Sequence, residues 1–219
     1  MTLNELSTTF DILYNNISSN QAPGLTEYEK SVFLTQAQEA VILDIYKGAN
    51  GDSFETTEEV TRYLSSLVLE ASLNSDRSIN KPIIKGIEGT TYILPTDLWF
   101  ITFQSGNITI DNNDRDVIVV PTIQDSLYNT LNNPFKGPNK NRVLSVSDEG
   151  GLTVYSKYTI KDIYIKYLSR PKPIILEELT DGFEINNETQ PSEITWLPES
   201  LHMQILLRAV QIAKAVWAS

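Results

Sequence analysis

The side chains that could do chemistry in this 219-residue chain are few, and their spacing does not suit catalysis. His202 is the single histidine, and the chain has no cysteine. A cysteine–histidine nucleophile pair and a site with several histidine ligands are therefore excluded. A Ser-His-Asp triad would have to use His202, yet no serine lies in a G-x-S-x-G turn. We interpret His202 as a structural or surface residue.

Carboxylate pairs are the next candidates, because two carboxyl groups can act as general acid and general base. None of them lies in the apolar sequence surroundings that keep a catalytic carboxyl protonated, so we interpret all of them as solvated. No phosphate-binding glycine loop occurs either. We therefore expect no enzyme activity, no metal and no cofactor. The pairs are Glu58-Glu59, Asp114 with Asp116, Asp148-Glu149 and Glu177-Glu178.

One loop is locally basic, whereas the chain as a whole is acidic. Residues 132–142 combine Lys136, Lys140 and Arg142 with two prolines and a glycine, a composition typical of a rigid, exposed loop. We call residues 132–142 the basic loop. Its charges could be solvated and balance nearby acids, pair with an acidic neighbouring subunit, or contact DNA. Further basic residues follow at Lys157, Lys161, Lys166, Arg170 and Lys172.

The whole chain is acidic, with a formal net charge of −11 and a pI near 4.6. This argues against a free duplex-binding protein, which needs a basic face. Acidity suits a passage through which DNA slides without sticking, and it equally suits plain solubility. No apolar run is long enough to cross a bilayer, and the first ten residues lack signal-peptide features. We expect the protein to stay where it is synthesised until it is assembled, with no membrane partner.

Helical patterns fill the N-terminal part of the chain. Apolar residues at helical spacing predict a helix over residues 3–18. A capping box of Thr26 and Glu29 begins a long helix that ends at Lys47. A second capping box, Thr56 with Glu59, begins another helix. Its apolar stripe comprises Val60, Tyr63, Leu64, Leu67, Val68 and Ala71.

From Pro82 onward short β-type segments recur, bounded by glycine, proline and asparagine. Ser105-Gly106-Asn107 indicates a tight hairpin. Residues 124–131 are expected to form a short helix, and residues 142–147 are expected to pair with 152–156. The predicted strands are 83–87, 90–94, 99–104, 107–110, 117–120 and 163–168.

The fold class that follows is α+β. We expect an N-terminal helical part (1–75), a mostly antiparallel β-rich part with an inserted short helix (76–176), and a surface loop with a C-terminal docking helix (177–219). Residues 180–191 are polar, which indicates a surface excursion. The apolar face of residues 201–216 must dock on the body or on a neighbouring subunit.

Two stretches carry a resemblance to a known family. The first has the order V-P-x-x-x-D, then N-P-F-x-x-P-x-x-x-R, then Y-L-x-R-P-x-P-I-I-L, within residues 117–176. The second is L-P-E-S-L-H leading into an apolar helix, within residues 197–215. In these features, which cover about half of the chain, it resembles the connector proteins of tailed bacteriophages. More narrowly, it is similar to the ring (adaptor) proteins of crAss-like phages that infect gut Bacteroidales.

The resemblance implies a non-enzymatic structural protein of the virion: a ring below the portal that joins head to tail around an axial DNA channel. By family analogy the ring has about twelve copies and uses heterologous interfaces that close on themselves. Its implied partners are other copies, the portal protein, neighbouring ring or tail proteins, and phage DNA in the channel. Its implied location is the portal vertex or tail of the virion, and the host cytoplasm during assembly. Our candidate interface residues are Phe135, Lys136, Lys140, Arg142, Arg170, His202 and Trp217.

Other functions remain open. A tail-tube or baseplate protein of the same kind of particle would share the class but not the position. A nucleic-acid-binding module would use the basic loop and bind duplex DNA in a salt-dependent way. A carbohydrate-binding or hydrolysing tail protein is disfavoured by the lack of a convincing carboxylate pair. The tyrosines available to a nucleic-acid module are Tyr155, Tyr158, Tyr164 and Tyr167.

Overall fold

The computed structural model describes residues 1–17, 24–48, 62–74, 78–84, 86–148, 151–180, 182–192 and 199–217. Its helices are α1 (Leu3–Ile17), α2 (Glu27–Gly48), α3 (Gln124–Leu131) and α4 (Glu199–Trp217). Its strands are β1 (Val68–Asn74), β2 (Ser78–Ile84), β3 (Ile87–Tyr92), β4 (Leu98–Ile110), β5 (Asn113–Pro121), β6 (Arg142–Asp148), β7 (Gly151–Ser156) and β8 (Thr159–Ser169). The predicted α+β class is confirmed.

The chain divides into two compact units. The helical unit consists of Met1–Leu67 with Pro171–Ser219, and the sheet unit consists of Val68–Arg170. The N-terminal and C-terminal segments thus belong to one unit, while the middle of the chain forms the other. The three-part division at residues 75 and 176 stays a prediction about chain segments.

The helical unit has an apolar core shared by α1, α2 and α4. Phe10, Leu34 and Ile205, one from each helix, are fully buried. The capping box predicted at α2 is confirmed, because the Thr26 N–H donates to the Glu29 carboxylate at 2.8 Å and the Glu29 N–H donates to the Thr26 hydroxyl at 3.2 Å. Reciprocal bonds of this kind satisfy backbone donors that the first turn leaves unpaired.

A buried lysine joins α1 to α2. Lys30 is 4% exposed, and its ammonium lies 2.7 Å from the Asp11 carboxylate and 2.9 Å from that of Glu27. Burial alone would lower the pKa of Lys30, but the hydrogen bonds that Lys30 donates to its two acidic partners outweigh burial and raise the pKa. Because a buried charge is tolerated only beside its partners, this cluster specifies how the two helices meet.

Three buried polar side chains of α2 hold an extended segment of the chain, residues 172–176, which we call the anchor segment. Ser31, Thr35 and Gln38 lie on one face of α2 because their spacing is that of successive helical turns. Ser31 Oγ accepts from the Leu176 N–H at 3.0 Å, Thr35 Oγ1 accepts from the Ile174 N–H at 3.0 Å, and Gln38 Nε2 donates to the Lys172 carbonyl at 2.9 Å.

The anchor segment needs these bonds because it is not part of a strand. Pro173 within it has no N–H to donate, and Ile174 and Ile175 are buried. Buried backbone groups must find partners. The side chains of α2 therefore supply what a neighbouring strand would otherwise supply.

The sheet unit contains one eight-stranded sheet in the order β1-β8-β4-β5-β6-β7-β3-β2. All neighbours are antiparallel except β5 and β6, which run parallel. The two edge strands are consecutive in sequence, and the four residue steps from Asn74 to Ser78 span at most about 15 Å. Eight strands laid flat would place these edges about 34 Å apart. The sheet is therefore strongly curled.

The predicted helix that extends through Ala71 is wrong from Val68 onward. Residues 62–64 are helical, but β1 begins at Val68 and pairs with β8 over its whole length. The alternation of Leu69, Ala71 and Leu73 also fits a strand, and the long-range ladder decides between the two patterns. The capping box at residues 56–59 lies outside the described residues.

The hairpin predicted at Ser105-Gly106-Asn107 is also wrong. Strand β4 runs through these residues, and the chain turns instead at Asp111 and Asn112, whose φ angles are 50° and 63°. At Gly106 a Cβ would lie 2.9 Å from Cδ1 of Ile163 on the neighbouring strand. The glycine therefore permits close packing within the sheet and does not mark a turn.

We expect Thr35→Val to lower the free energy of unfolding by about 2 kcal/mol, because it leaves the buried N–H of Ile174 without its partner. Both side chains are β-branched, so helix propensity changes little. The matched control is Thr8→Val at an exposed position of α1, with an effect within about 0.5 kcal/mol. Urea unfolding measures both, and equal effects would contradict the anchoring role of Thr35.

Two buried tyrosines of the sheet unit differ in the hydrogen bonding of their hydroxyl groups. The hydroxyl of Tyr92 has no hydrogen-bond partner among the described residues, whereas that of Tyr167 donates to Asp97 at 3.2 Å. We expect Tyr92→Phe to keep or raise stability at pH 7, and Tyr167→Phe to cost about 1 kcal/mol. Urea unfolding of the two variants side by side decides this.

Tyr92 also makes the free energy of unfolding depend on pH. Burial, followed by the charge of Asp162, raises the pKa of Tyr92 to about 12. The folded state therefore keeps a proton that the unfolded state loses near pH 10. Ionisation of Tyr92 in the unfolded state therefore costs no stability below about pH 10 and lowers stability as pH rises toward 12. Tyr92→Phe is expected to make the loss of stability above pH 10 less steep, and an unchanged slope would contradict the assignment.

Candidate subunit interface

The basic loop connects α3 to β6 and is tied by its own hydrogen bonds. The Asn133 side-chain oxygen accepts from the N–H groups of Phe135 and Lys136, at 2.9 and 3.1 Å. The Asn133 carbonyl accepts from the Gly137 N–H at 2.7 Å. An asparagine that bonds the backbone two and three residues ahead fixes a turn locally. These bonds give the loop a defined local shape.

Arg142 closes this loop from its far end. Its guanidinium donates to the carbonyls of Phe135 and Gly137, the latter at 3.3 Å. Its backbone exchanges hydrogen bonds with Asn139, at 2.8 and 3.3 Å. Both guanidinium bonds come from one nitrogen, Nη2, which thus joins two carbonyls of the loop. The structure thus places Arg142 where it holds the loop together.

The loop presents an aromatic side chain to solvent. Phe135 is 85% exposed, and Lys136 and Lys140 beside it are exposed too. No ion pair in the described part of the chain involves either lysine. An exposed ring gains roughly 25 cal/mol for each Å² of apolar surface that a partner covers. A bulky apolar side chain held out among positive charges is therefore typical of a contact surface.

The other predicted interface residues lie elsewhere in the chain. His202, in the first turn of α4, is buried, and its Nδ1 lies 3.2 Å from the amine nitrogen of Met1. Trp217 is the last residue of α4, and Arg170 is exposed just after β8. His202 and Trp217 belong to the helical unit, whereas Arg170 and the basic loop belong to the sheet unit. Their part in an interface stays a prediction.

Two downstream lysines are paired with acids of the sheet. Lys161 forms an ion pair with Asp114, and Lys166 lies 2.8 Å from Glu70. Hydrogen bonds from Lys161 and Thr109 lower the pKa of Asp114. Exposed pairs of this kind add little stability. For these two lysines the structure favours the interpretation that basic residues balance nearby acids.

A groove of mixed polar and apolar lining, which the sequence did not predict, crosses β1, β8 and β4. Its volume is about 390 Å³, and Phe103 and Tyr164 line it while remaining about half exposed. It was missed because Ala71, at its wall, had been assigned to a helix. The alternating pattern of residues 69–73 was the signal that could have revealed it.

Among the described residues, no three histidine or acidic side chains come close enough together to hold a metal ion. In the same part of the chain, no helix is long and apolar enough to cross a bilayer.

Comparison with known proteins decides the family. A family model described as phage tail ring protein 3/4 matches residues 1–218. The chain belongs to this family. The resemblance to ring proteins of crAss-like phages is therefore confirmed, and the protein is a structural ring component of a phage virion.

Two relatives agree with this assignment. The ring protein is similar to "Ring protein 3" of Bacteroides phage crAss001, with 39% identity over 221 residues that cover 97% of this chain and 95% of the relative. It is also similar to "Ring protein 4/5" of the same phage, with 34% identity over 231 residues that cover 99% of this chain and 94% of the relative. Both relatives carry structural names, and the family indicates oligomeric assembly with other phage ring or tail proteins.

We expect Gly137→Ala to distort the basic loop of this ring protein. A Cβ at residue 137 would lie 2.8 Å from the Asn133 carbonyl oxygen and 3.0 Å from that of Leu131. The free energy of unfolding should fall by about 1–3 kcal/mol, and amide exchange in the loop should speed up. Gly24→Ala is the control, because no atom lies within 4 Å of its added Cβ. Unchanged amide exchange in the loop would contradict the tight turn.

Proposed function

We propose that this protein is an adaptor ring of the head-to-tail connector, stacked below the portal and surrounding part of the DNA channel. By analogy with the family the ring has about twelve copies. Its partners are the portal protein, neighbouring ring or tail proteins, and the genome as it passes through. The protein is made in the host cytoplasm and ends in the virion.

The exposure of Phe135 is the observation that carries this proposal. The Phe135 side chain is 85% exposed, although Asn133 and Arg142 hold the loop that bears it in a fixed shape. A loop that is already ordered loses little conformational entropy when a partner covers it. Most of the free energy gained by burying Phe135 would therefore contribute to affinity. In a ring of identical subunits the first partner available to such a loop is another copy.

The net negative charge of the chain supports the proposed place of the protein around the DNA channel. A net charge of −11 repels the DNA backbone, and a passage that repels its cargo lets DNA slide. The positive charge of the basic loop is local and lies beside an exposed aromatic ring, as expected of a protein contact.

Native mass spectrometry of the purified chain, with electron-microscope class averages, tests the proposal. We expect a closed ring with a central hole, either from the chain alone or after it is mixed with the portal protein of the same phage. Phe135→Ala should weaken assembly at least tenfold, about 1.4 kcal/mol. Ile93→Ala, at another exposed apolar residue, is the matched control. A chain that neither self-associates nor binds the portal protein, but binds duplex DNA, would change the assignment to a nucleic-acid-binding module.

A further inference from the structure

A second charged surface of opposite sign lies in the helical unit. No lysine or arginine occurs between Lys172 and Arg208. Residues 176–192 of this stretch form what we call the acidic hairpin. In the hairpin the exposed acids that the structure describes are Glu177, Glu178, Glu184 and Glu188. Within the described part of the chain, no ion pair involves any of the four.

The acidic hairpin is tied by backbone hydrogen bonds. The Leu179 N–H donates to the Thr189 carbonyl at 2.9 Å, and Ile185 and Glu188 exchange two bonds of 3.0 Å. The turn is made at residues 186 and 187, both asparagines, with φ angles of 52° and 65°. Two consecutive positive φ angles are typical of the tight turns that close hairpins.

The hairpin is also fixed to α2. The ring of Phe183 packs on that of Tyr28, with 4.8 Å between centroids, and the Asn186 amide donates to Glu39 at 3.2 Å. Phe183 nevertheless remains 51% exposed. The hairpin thus presents about half of an aromatic ring among acidic side chains.

The basic loop and the acidic hairpin are complementary. Each is held in shape by its own hydrogen bonds, and in each the segment itself combines an exposed phenylalanine with charged side chains of one sign. Between residues 126 and 147 there is no acid, and between 173 and 192 there is no base. Opposite potentials attract and orient two surfaces, and a pair of aromatic rings adds a favourable contact beyond its buried area.

We infer that the basic loop of one copy docks on the acidic hairpin of the next copy, with Phe135 against Phe183 and with Lys136 and Lys140 against the glutamates. This inference rests on the proposed ring function and names its two contact surfaces. A head-to-tail ring needs two unlike surfaces on each subunit, and these two supply them. Pairing of like surfaces is disfavoured, because two basic loops or two acidic hairpins facing each other would repel.

Cysteine cross-linking tests the pairing directly, since the chain contains no cysteine of its own. Chains with Phe135→Cys and chains with Phe183→Cys are purified separately, mixed and oxidised. We expect a disulfide-linked dimer in the mixture, at least tenfold more abundant than in either variant alone. Ile93→Cys mixed with Phe183→Cys is the control, because residue 93 is exposed but lies outside both surfaces. A yield equal to that control overturns the inference.

Charge reversal gives an independent test by assembly. Lys136→Glu with Lys140→Glu, and Glu184→Lys with Glu188→Lys, should each reduce self-association at least tenfold. Mixing the two variants should restore assembly, because each altered surface then meets its opposite charge on the other chain. Assembly should also weaken as salt is added. Failure of the mixture to assemble overturns the inference.

The two proposals fail in distinguishable ways. Closed rings that form without the cross-link, and that tolerate both charge reversals, leave the ring function standing and overturn this docking. Absence of any assembly by the unaltered chain, with and without the portal protein, overturns the adaptor function itself, and the docking with it.

Discussion

The anchor segment imposes the constraint on which the helical unit depends. An extended stretch that contains proline is buried without a strand beside it, so its backbone groups must find partners elsewhere. Ser31, Thr35 and Gln38 of α2 provide them. The segment leads directly into the acidic hairpin and then toward α4. Three side chains on one face of α2 therefore help to fix where the hairpin emerges.

Side chains bonded to backbone also shape the sheet unit's most exposed feature. In the basic loop Asn133 and Arg142 do what the polar face of α2 does for the anchor segment. Both surfaces of the inferred contact are thus ordered before any partner arrives. Association then costs little conformational entropy, which helps weak individual contacts to hold a closed assembly. Many copies of a modest interface can close a ring because every copy is held by two neighbours.

The sequence predicted those features whose signals are local. Helix α3, the capping box of Thr26 and Glu29, and the pairing of β6 with β7 are confirmed, and the basic loop was found from its prolines and charges. The predictions for Val68–Asn74 and for Gly106 were wrong, because distant parts of the chain determine both. Val68–Asn74 pairs with a strand about a hundred residues further along, and Gly106 packs against a residue about sixty further along. The polar face of α2 could not be foreseen for the same reason, and residues 180–191 were seen only as polar, since their shape depends on contacts with α2.

The joining of both chain ends in one unit has a consequence for synthesis. Helices α1 and α2 leave the ribosome first, yet α4, which completes their core, follows about 150 residues later. At 5–20 residues per second the apolar faces of the first two helices remain without their partner for roughly 8 to 30 seconds. The sheet unit is finished within that interval and can fold first. A chain cut short before α4 would keep an unfinished core, which makes it recognisable to chaperones and proteases before it can enter a ring.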